Sequence, residues 1–216
     1  MKSILELSSQ PGRDLLARLL SERNQYPDRA EEIDRLVRNA FERQVAIMAL
    51  DMCGFSRLTR QLGIIHYLAM IQQMEEAARP AVTANDGVVI KREADNLWAI
   101  FDEPAKAVEA ALDIFRAFDA VNSVVPTGRD IFGSVGIGYG ETLIVGSEDI
   151  FGSEMNLASK LGEDLAGKSE ILITSAAYRL LPQEFYVCER AMFSISGIEI
   201  DCHRFKERVY PKKRDH

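Results

Sequence analysis

The 216-residue chain carries a net charge of −7 at pH 7, with 47% hydrophobic and 27% charged residues, the make-up of an ordinary globular domain. That acidic balance weighs against broad binding to nucleic acid or an anionic membrane, and no apolar run reaches the length of a membrane span. Cys53, Cys188 and Cys202 lie far apart without CxxC spacing, and no signal peptide is seen, which reads as a reduced cytoplasmic protein. His66, His203 and His216 lack metal-ligand spacing and read as non-catalytic.

Residues 12–43 are predicted to form two helices joined at Asn24-Gln25-Tyr26-Pro27, with Leu15, Leu16, Leu19 and Leu20 on one face of the first. Asp28 suits an N-cap for the second, with Glu31 at the capping-box position. There Ile33, Leu36, Val37, Ala40 and Phe41 recur at i, i+3, i+4, i+7, i+8. The stripe fits a helix packed on its own domain or one that dimerises or carries a signal, and it is too short to choose between them.

The stretch Val45 to Ser56, VAIMALDMCGFS, opens with a buried strand and places Asp51 where that strand ends. A turn, Met52-Cys53-Gly54-Phe55, feeds a helix running from Ser56 to Ala84, whose N-terminus offers free N–H groups to an anion. Leu58, Leu62, Ile65, Leu68, Ala69, Ile71 and Met74 are its candidates for burial, and Gly63 and Pro80 are points of interruption. After the Asn85-Asp86-Gly87 turn, Val88–Ile90 and Leu97–Phe101 read as a hairpin with a charged tip from Lys91 to Asn96. A helix over 102–121 leads to a strand over 131–139, where Gly133, Gly136, Gly138 and Gly140 leave room for close backbone approach.

Glu141–Val145 suits a short arm pairing back, Ser147–Gly152 a loop, and Ser153–Ala166 a helix with Asn156 and Lys160 one turn apart. A strand at Glu170–Thr174, a short helix near Ala176–Leu181, and strands at Phe185–Glu189 and Ile198–Phe205 follow. The order β-α-β-β-α-β predicts an α+β fold, a ferredoxin-like core with extra C-terminal strands and helix, preceded by N-terminal helices. In that sheet the first and third strands are neighbours, so Asp51 and Asp95 are expected together. Two such carboxylates suit a pair of hard cations completed by substrate phosphates, the apparatus of in-line displacement at phosphorus.

With these residues in place the chain resembles the catalytic domain of class III nucleotidyl cyclases over roughly 44–206. DMCGFSRLT is similar to that family's Asp-x-x-Gly-Phe-Ser/Thr turn, and KREADNLWAIF to its Lys-x-x-Gly-Asp hairpin with Ala94 in the glycine's place. EDIFGSEMNLASKL is similar to its Asp-x-x-Gly-x-x-x-Asn-x-x-x-Arg segment. The resemblance implies that Asp51, Asp95 and the Met52 carbonyl hold two Mg²⁺ or Mn²⁺ ions, and that Gly54, Phe55 and Ser56 line the substrate. It further implies that Lys91 and Asp149 read adenine, that Asn156 orients the ribose, and that Lys160 stabilises the transferring phosphoryl group. It divides the chain into a helical segment over 1–43, a catalytic domain over 44–206 and a tail over 207–216.

The implied protein is an adenylate cyclase working as a homodimer with shared sites, with ATP as substrate and a regulatory partner reached through the N-terminal helices. The departures are Lys160, Ser134 and Ser196 at basic family positions and Gly138 at a histidine position, with Arg57, Arg60 and Lys168 as candidate compensating cations. Ser134 and Ser196 motivate one alternative, a catalytically silent cyclase-like module that binds nucleotide or only dimerises, and Ala94 with a short loop before Asp149 motivates another, a cyclase for another nucleotide. An RNA-binding ferredoxin-like domain is disfavoured by the acidic balance, and diguanylate cyclase chemistry by the missing Gly-Gly-Asp/Glu-Glu-Phe turn.

Overall fold

Strand β1, Glu42–Met52, is buried without a break from Val45 to Leu50 because both of its faces are covered. Ala46, Met48, Leu50 and Met52 point to one core and Val45, Ile47 and Ala49 to another, the alternation that a pleated strand imposes. The computed structural model describes residues 11–53, 63–126, 129–195 and 197–210. The expected residues Gly54, Phe55 and Ser56, with Leu58, Leu62, Arg57, Arg60, Ser196 and His216, lie outside them.

The remaining elements are α1 (Arg13–Gln25), a 3₁₀ turn (Pro27–Arg29), α2 (Ala30–Phe41), α3 (Ile64–Ala84), β2 (Val88–Glu93), β3 (Asn96–Phe101), α4 (Pro104–Asn122) and β4 (Gly133–Val145). Then come β5 (Asp149–Phe151), α5 (Ser153–Lys160), a π-helical turn (Leu161–Leu165), β6 (Ile171–Thr174), α6 (Ser175–Tyr178), β7 (Tyr186–Ile195) and β8 (Ile198–Arg208). Among the described residues eight strands form one sheet in the order β2-β3-β1-β4-β6-β8-β7, with β5 paired to β4. The first four strands are the ferredoxin-like core, and the parallel β4–β6 pair adds the C-terminal extension.

Helices α3 and α4 cover one face, burying Tyr67, Met70, Ile71, Met74, Ile114 and Phe118 against the even-numbered side chains of β1. Helix α5 lies on the other face, where Ala158 meets Ile47, Ala49, Trp98 and Ile150. Its approach is backbone to backbone: a Cβ on Gly136 would stand 1.9 Å from the Ala158 carbonyl oxygen, and one on Gly162 would stand 2.7 Å from the Ala49 oxygen. Only glycine fits either position, so the small residues expected on the fourth strand have a physical reason. Ser159 anchors the same helix by accepting a hydrogen bond from Trp98 Nε1 at 2.8 Å.

Several expectations are corrected. Ile65 and Leu68 are 81% and 56% exposed and Ala69 is exposed too, because the buried face of α3 joins the expected Ile71 and Met74 to Tyr67 and Met70. The helix passes through Pro80 and ends at the expected turn. Residues 141–145 do not fold back as a separate arm but continue β4 in register with β1, Glu141 opposite Gln44. The loop expected at 147–152 contains β5, too short to show a period. The 3₁₀ turn that Pro27 starts holds Asp28, and α2 begins without a side-chain cap, so the capping box is not formed. Ile33, Val37 and Phe41 pack with Leu16, Leu19 and Val145, which seats α1 and α2 on the end of β4 of their own chain.

Candidate active site

Strand pairing brings the two carboxylates together. Asp51 sits opposite Asn96 on β3 and opposite Ser134 on β4, and the Met52 N–H donates to the Asp95 carbonyl oxygen at 3.2 Å. Burial, the Asp95 charge and then Glu163 push the Asp51 carboxyl up to about 7. Tyr67, which the sequence did not single out, stands beside Asp95, and burial together with that carboxylate keeps its hydroxyl protonated far above its usual range. Among the described residues no three His, Cys, Asp or Glu side chains form a metal cage, so the site lacks a full protein ligand set. Two crowded carboxylates that repel each other fit hard cations whose other ligands are phosphates and water.

The crowding has a consequence for stability without metal. The folded carboxyl titrates about 7 and an unfolded one about 4, so its contribution is complete below about pH 4 and is lost as pH rises through 7. In chelator, Asp51→Asn should therefore raise Tm over the wild type by roughly 2–4 °C at pH 8, a figure discounted for solvent screening. At pH 4 and below the gain should vanish; a gain independent of pH in thermal melts would refute the coupling.

The hairpin that presents Asp95 is tighter than expected. Lys91 to Glu93 belong to β2, and only Ala94 and Asp95 form the turn. Ala94 takes φ +51°, whereas Asp95 is not among the positive-φ residues, the pattern of a two-residue II′ turn whose first central position favours glycine. Ala94→Gly should relieve about 1 kcal/mol of left-handed strain and raise the chemical-denaturation midpoint with the slope unchanged.

Lys91 and Asp149 also meet. A register shift between Val89 and Lys91 turns the lysine, and its Nζ lies 3.4 Å from Asp149 Oδ1, 2.8 Å from Glu93 and 5.7 Å from the Trp98 ring centre. In a flat sheet β2 and β4 would stand about 14 Å apart, three strand spacings, so the far end of β4 with β5 must curl over the α5 face. Asp149 is only 9% exposed; its Oδ1 also accepts from the Ile150 N–H, and its Oδ2 accepts from Arg13 at 2.9 Å. Asn156 and Lys160 stand exposed on α5, one turn apart. An open cavity of about 700 Å³ between α2, β4 and the start of α5 touches none of these six side chains.

Of the departures, Ser134 is buried and accepts a hydrogen bond from Cys53 Sγ at 3.4 Å. A cation does stand nearby: Lys168 Nζ lies 3.1 Å from the Phe132 ring centre, and the Phe132 carbonyl accepts the Cys53 N–H.

The adenylate and guanylate cyclase catalytic domain family matches residues 37–208. The chain belongs to this family. Its cyclase domain is 30% identical over 152 residues to the adenylate cyclase of Streptomyces griseus, covering 70% of this chain and 34% of that one. The guanylyl cyclase Cya2 superposes with a TM-score of 0.69 at 19% identity, over 80% of this chain and 96% of that one. The adenylyl cyclase CyaB of P. aeruginosa gives 0.65 at 16%, over 78% and 96%. The chain spans 23–34% of the length of the relatives that match at 30% identity. Class III cyclases generally use divalent metal ions. No helix among the described residues is long and apolar enough to cross a membrane.

Proposed function

We propose that the cyclase domain converts ATP to 3′,5′-cyclic AMP and pyrophosphate. The observation that carries this reading is the meeting of Asp51, at the end of β1, with Asp95 in the β2–β3 turn, where the Met52 N–H donates to the Asp95 carbonyl and the Asp51 carboxyl is pushed up to about 7 by burial and its neighbour. The ribose 3′-hydroxyl attacks the α-phosphorus in line, its proton passes to solvent water, and the bond from the α-phosphorus to the α,β-bridging oxygen breaks to release pyrophosphate. Two Mg²⁺ or Mn²⁺ ions, when bound by Asp51, Asp95 and the Met52 carbonyl, supply charge for the attacking and leaving oxygens. Asn156 orients the ribose, and Lys160 stabilises charge on the transferring group as a point cation rather than a fork.

Lys91 and Asp149 offer a donor and an acceptor to adenine N1 and N6, and guanine would leave them unpaired. The half-sites of a head-to-tail homodimer come from different chains, carboxylates from one and base-reading residues from the other, which suits a chain whose open cavity avoids both sets. The exposed Ile64, Ile65 and Leu68 supply apolar surface for a partner copy. The N-terminal helices, seated on the end of β4, are where a regulatory partner would act.

Product formation from ATP, GTP, CTP and UTP, each in Mg²⁺ and in Mn²⁺, tests the reading. Cyclic AMP from ATP is the expected result. A cyclic product from another nucleotide would keep the mechanism and overturn the base assignment. No product from a dimeric preparation would favour the silent module, a reading to which the buried, uncharged Ser134 lends support.

A further inference from the structure

We infer that Arg13 is a specificity-determining residue of the base site, one that weakens discrimination between 6-amino and 6-oxo purines. It lies in α1, which precedes the segment matched by the cyclase family at residue 37. The inference rests on the reading above that Asp149 faces the base.

An ionised carboxylate only accepts hydrogen bonds, with room for about two at each oxygen. Asp149 Oδ1 already faces Lys91 Nζ at 3.4 Å and the Ile150 N–H at 3.1 Å. Oδ2 accepts from an Arg13 terminal nitrogen at 2.9 Å, and Arg13 Nε stands 3.8 Å from Glu148. A 6-amino group must therefore share Oδ2 with a cation, whose charge-assisted bond is the stronger of the two. The Arg13 side chain is 62% exposed whereas that of Asp149 is 12% exposed, so the guanidinium lies on the solvent side of the carboxylate. It has five N–H donors, and one is spent on Asp149. Another can donate to a 6-oxo group at the place where the amino group of adenine would sit. Both effects act in one direction: Arg13 taxes adenine and rewards guanine.

Arg13 is held by the helix rather than holding it. Leu16 and Leu19 seat α1 against Ile33, Val37, Phe41 and Val145, so removing the guanidinium leaves the packing intact.

The test measures kcat/KM for ATP and for GTP in wild type, Arg13→Ala, Arg13→Met and Asp149→Asn, with binding of mant-ATP and mant-GTP to the same proteins. Circular dichroism and Tm confirm that the helix remains seated. Both Arg13 variants should raise the ATP-to-GTP ratio by roughly fivefold to tenfold, in catalysis and in binding, the scale of one ordinary net hydrogen bond at a solvent-exposed side chain. Asp149→Asn should collapse the ratio towards one. If Asp149→Asn shifts the ratio while both Arg13 variants stay within twofold of wild type, or lower it, this inference is wrong and base reading by Asp149 stands. If Asp149→Asn leaves the ratio unchanged, the base reading fails first and takes this inference with it.

Discussion

Asp51→Asn is expected to lower kcat by at least about a thousandfold in Mg²⁺ or Mn²⁺, while the protein remains folded. Asparagine keeps the shape of the side chain but removes the charge that would hold the cations. The chemistry that those cations supply amounts to several kcal/mol of transition-state stabilisation, and each tenfold in rate corresponds to about 1.4 kcal/mol. The same substitution should not weaken the metal-free fold at pH 8, because Asp51 is ionised there against burial and the Asp95 charge. A loss of activity accompanied by a gain in Tm separates a metal-binding role from a structural one. Initial rates of cyclic nucleotide formation decide it, and residual activity above a tenth of wild type would remove Asp51 from the mechanism.

Mixing two dead variants should restore activity. Lys160→Ala removes the cation proposed above to stabilise the phosphoryl group, an expected loss of about 10² to 10³ in kcat. In a head-to-tail dimer of Asp51→Asn with Lys160→Ala, one site collects both lesions and the other collects neither. Equal mixing makes half of the dimers mixed, each with one working site, so about a quarter of wild-type activity should return. Lys160 is exposed on α5 whereas Asp51 is half-buried at the end of β1, so neither substitution should disturb the core. The rate is measured as one variant is titrated into the other. A rate that stays at the sum of the separate proteins would mean that each chain builds its own site.

The parts of the fold that repeat a clear period were legible in the sequence. The unbroken apolar run Val45–Leu50, the Asn85-Asp86-Gly87 turn and the β-α-β-β-α-β order place Asp51 beside the Asp95 hairpin, and the sheet has that arrangement. Gly136 was legible as a site of close approach without its partner being visible, since the Ala158 carbonyl is distant in the chain. Strand β5 was not legible because three residues carry no period. The exposed Ile65 and Leu68 misled for the opposite reason: apolar side chains on a helix do not say which of two adjacent stripes meets the sheet. The Arg13 contact with Asp149 spans 136 positions and depends on how β4 curls, which local pattern does not encode.

Gly136 and Gly162 let α5 rest on the main chain of β1 and β4 with no side chain between them, at Ala49, two residues before Asp51. The helix that bears Asn156 and Lys160 and the strand that bears Asp51 therefore move as one body. In a head-to-tail dimer those two elements serve different nucleotides. In the homodimer proposed above, a shift of that helix on one nucleotide would carry the carboxylate beside the other, so occupancy of one site would alter the affinity of its twin. Substrate saturation curves should depart from a simple hyperbola, and the glycine pair sets how stiff that linkage is.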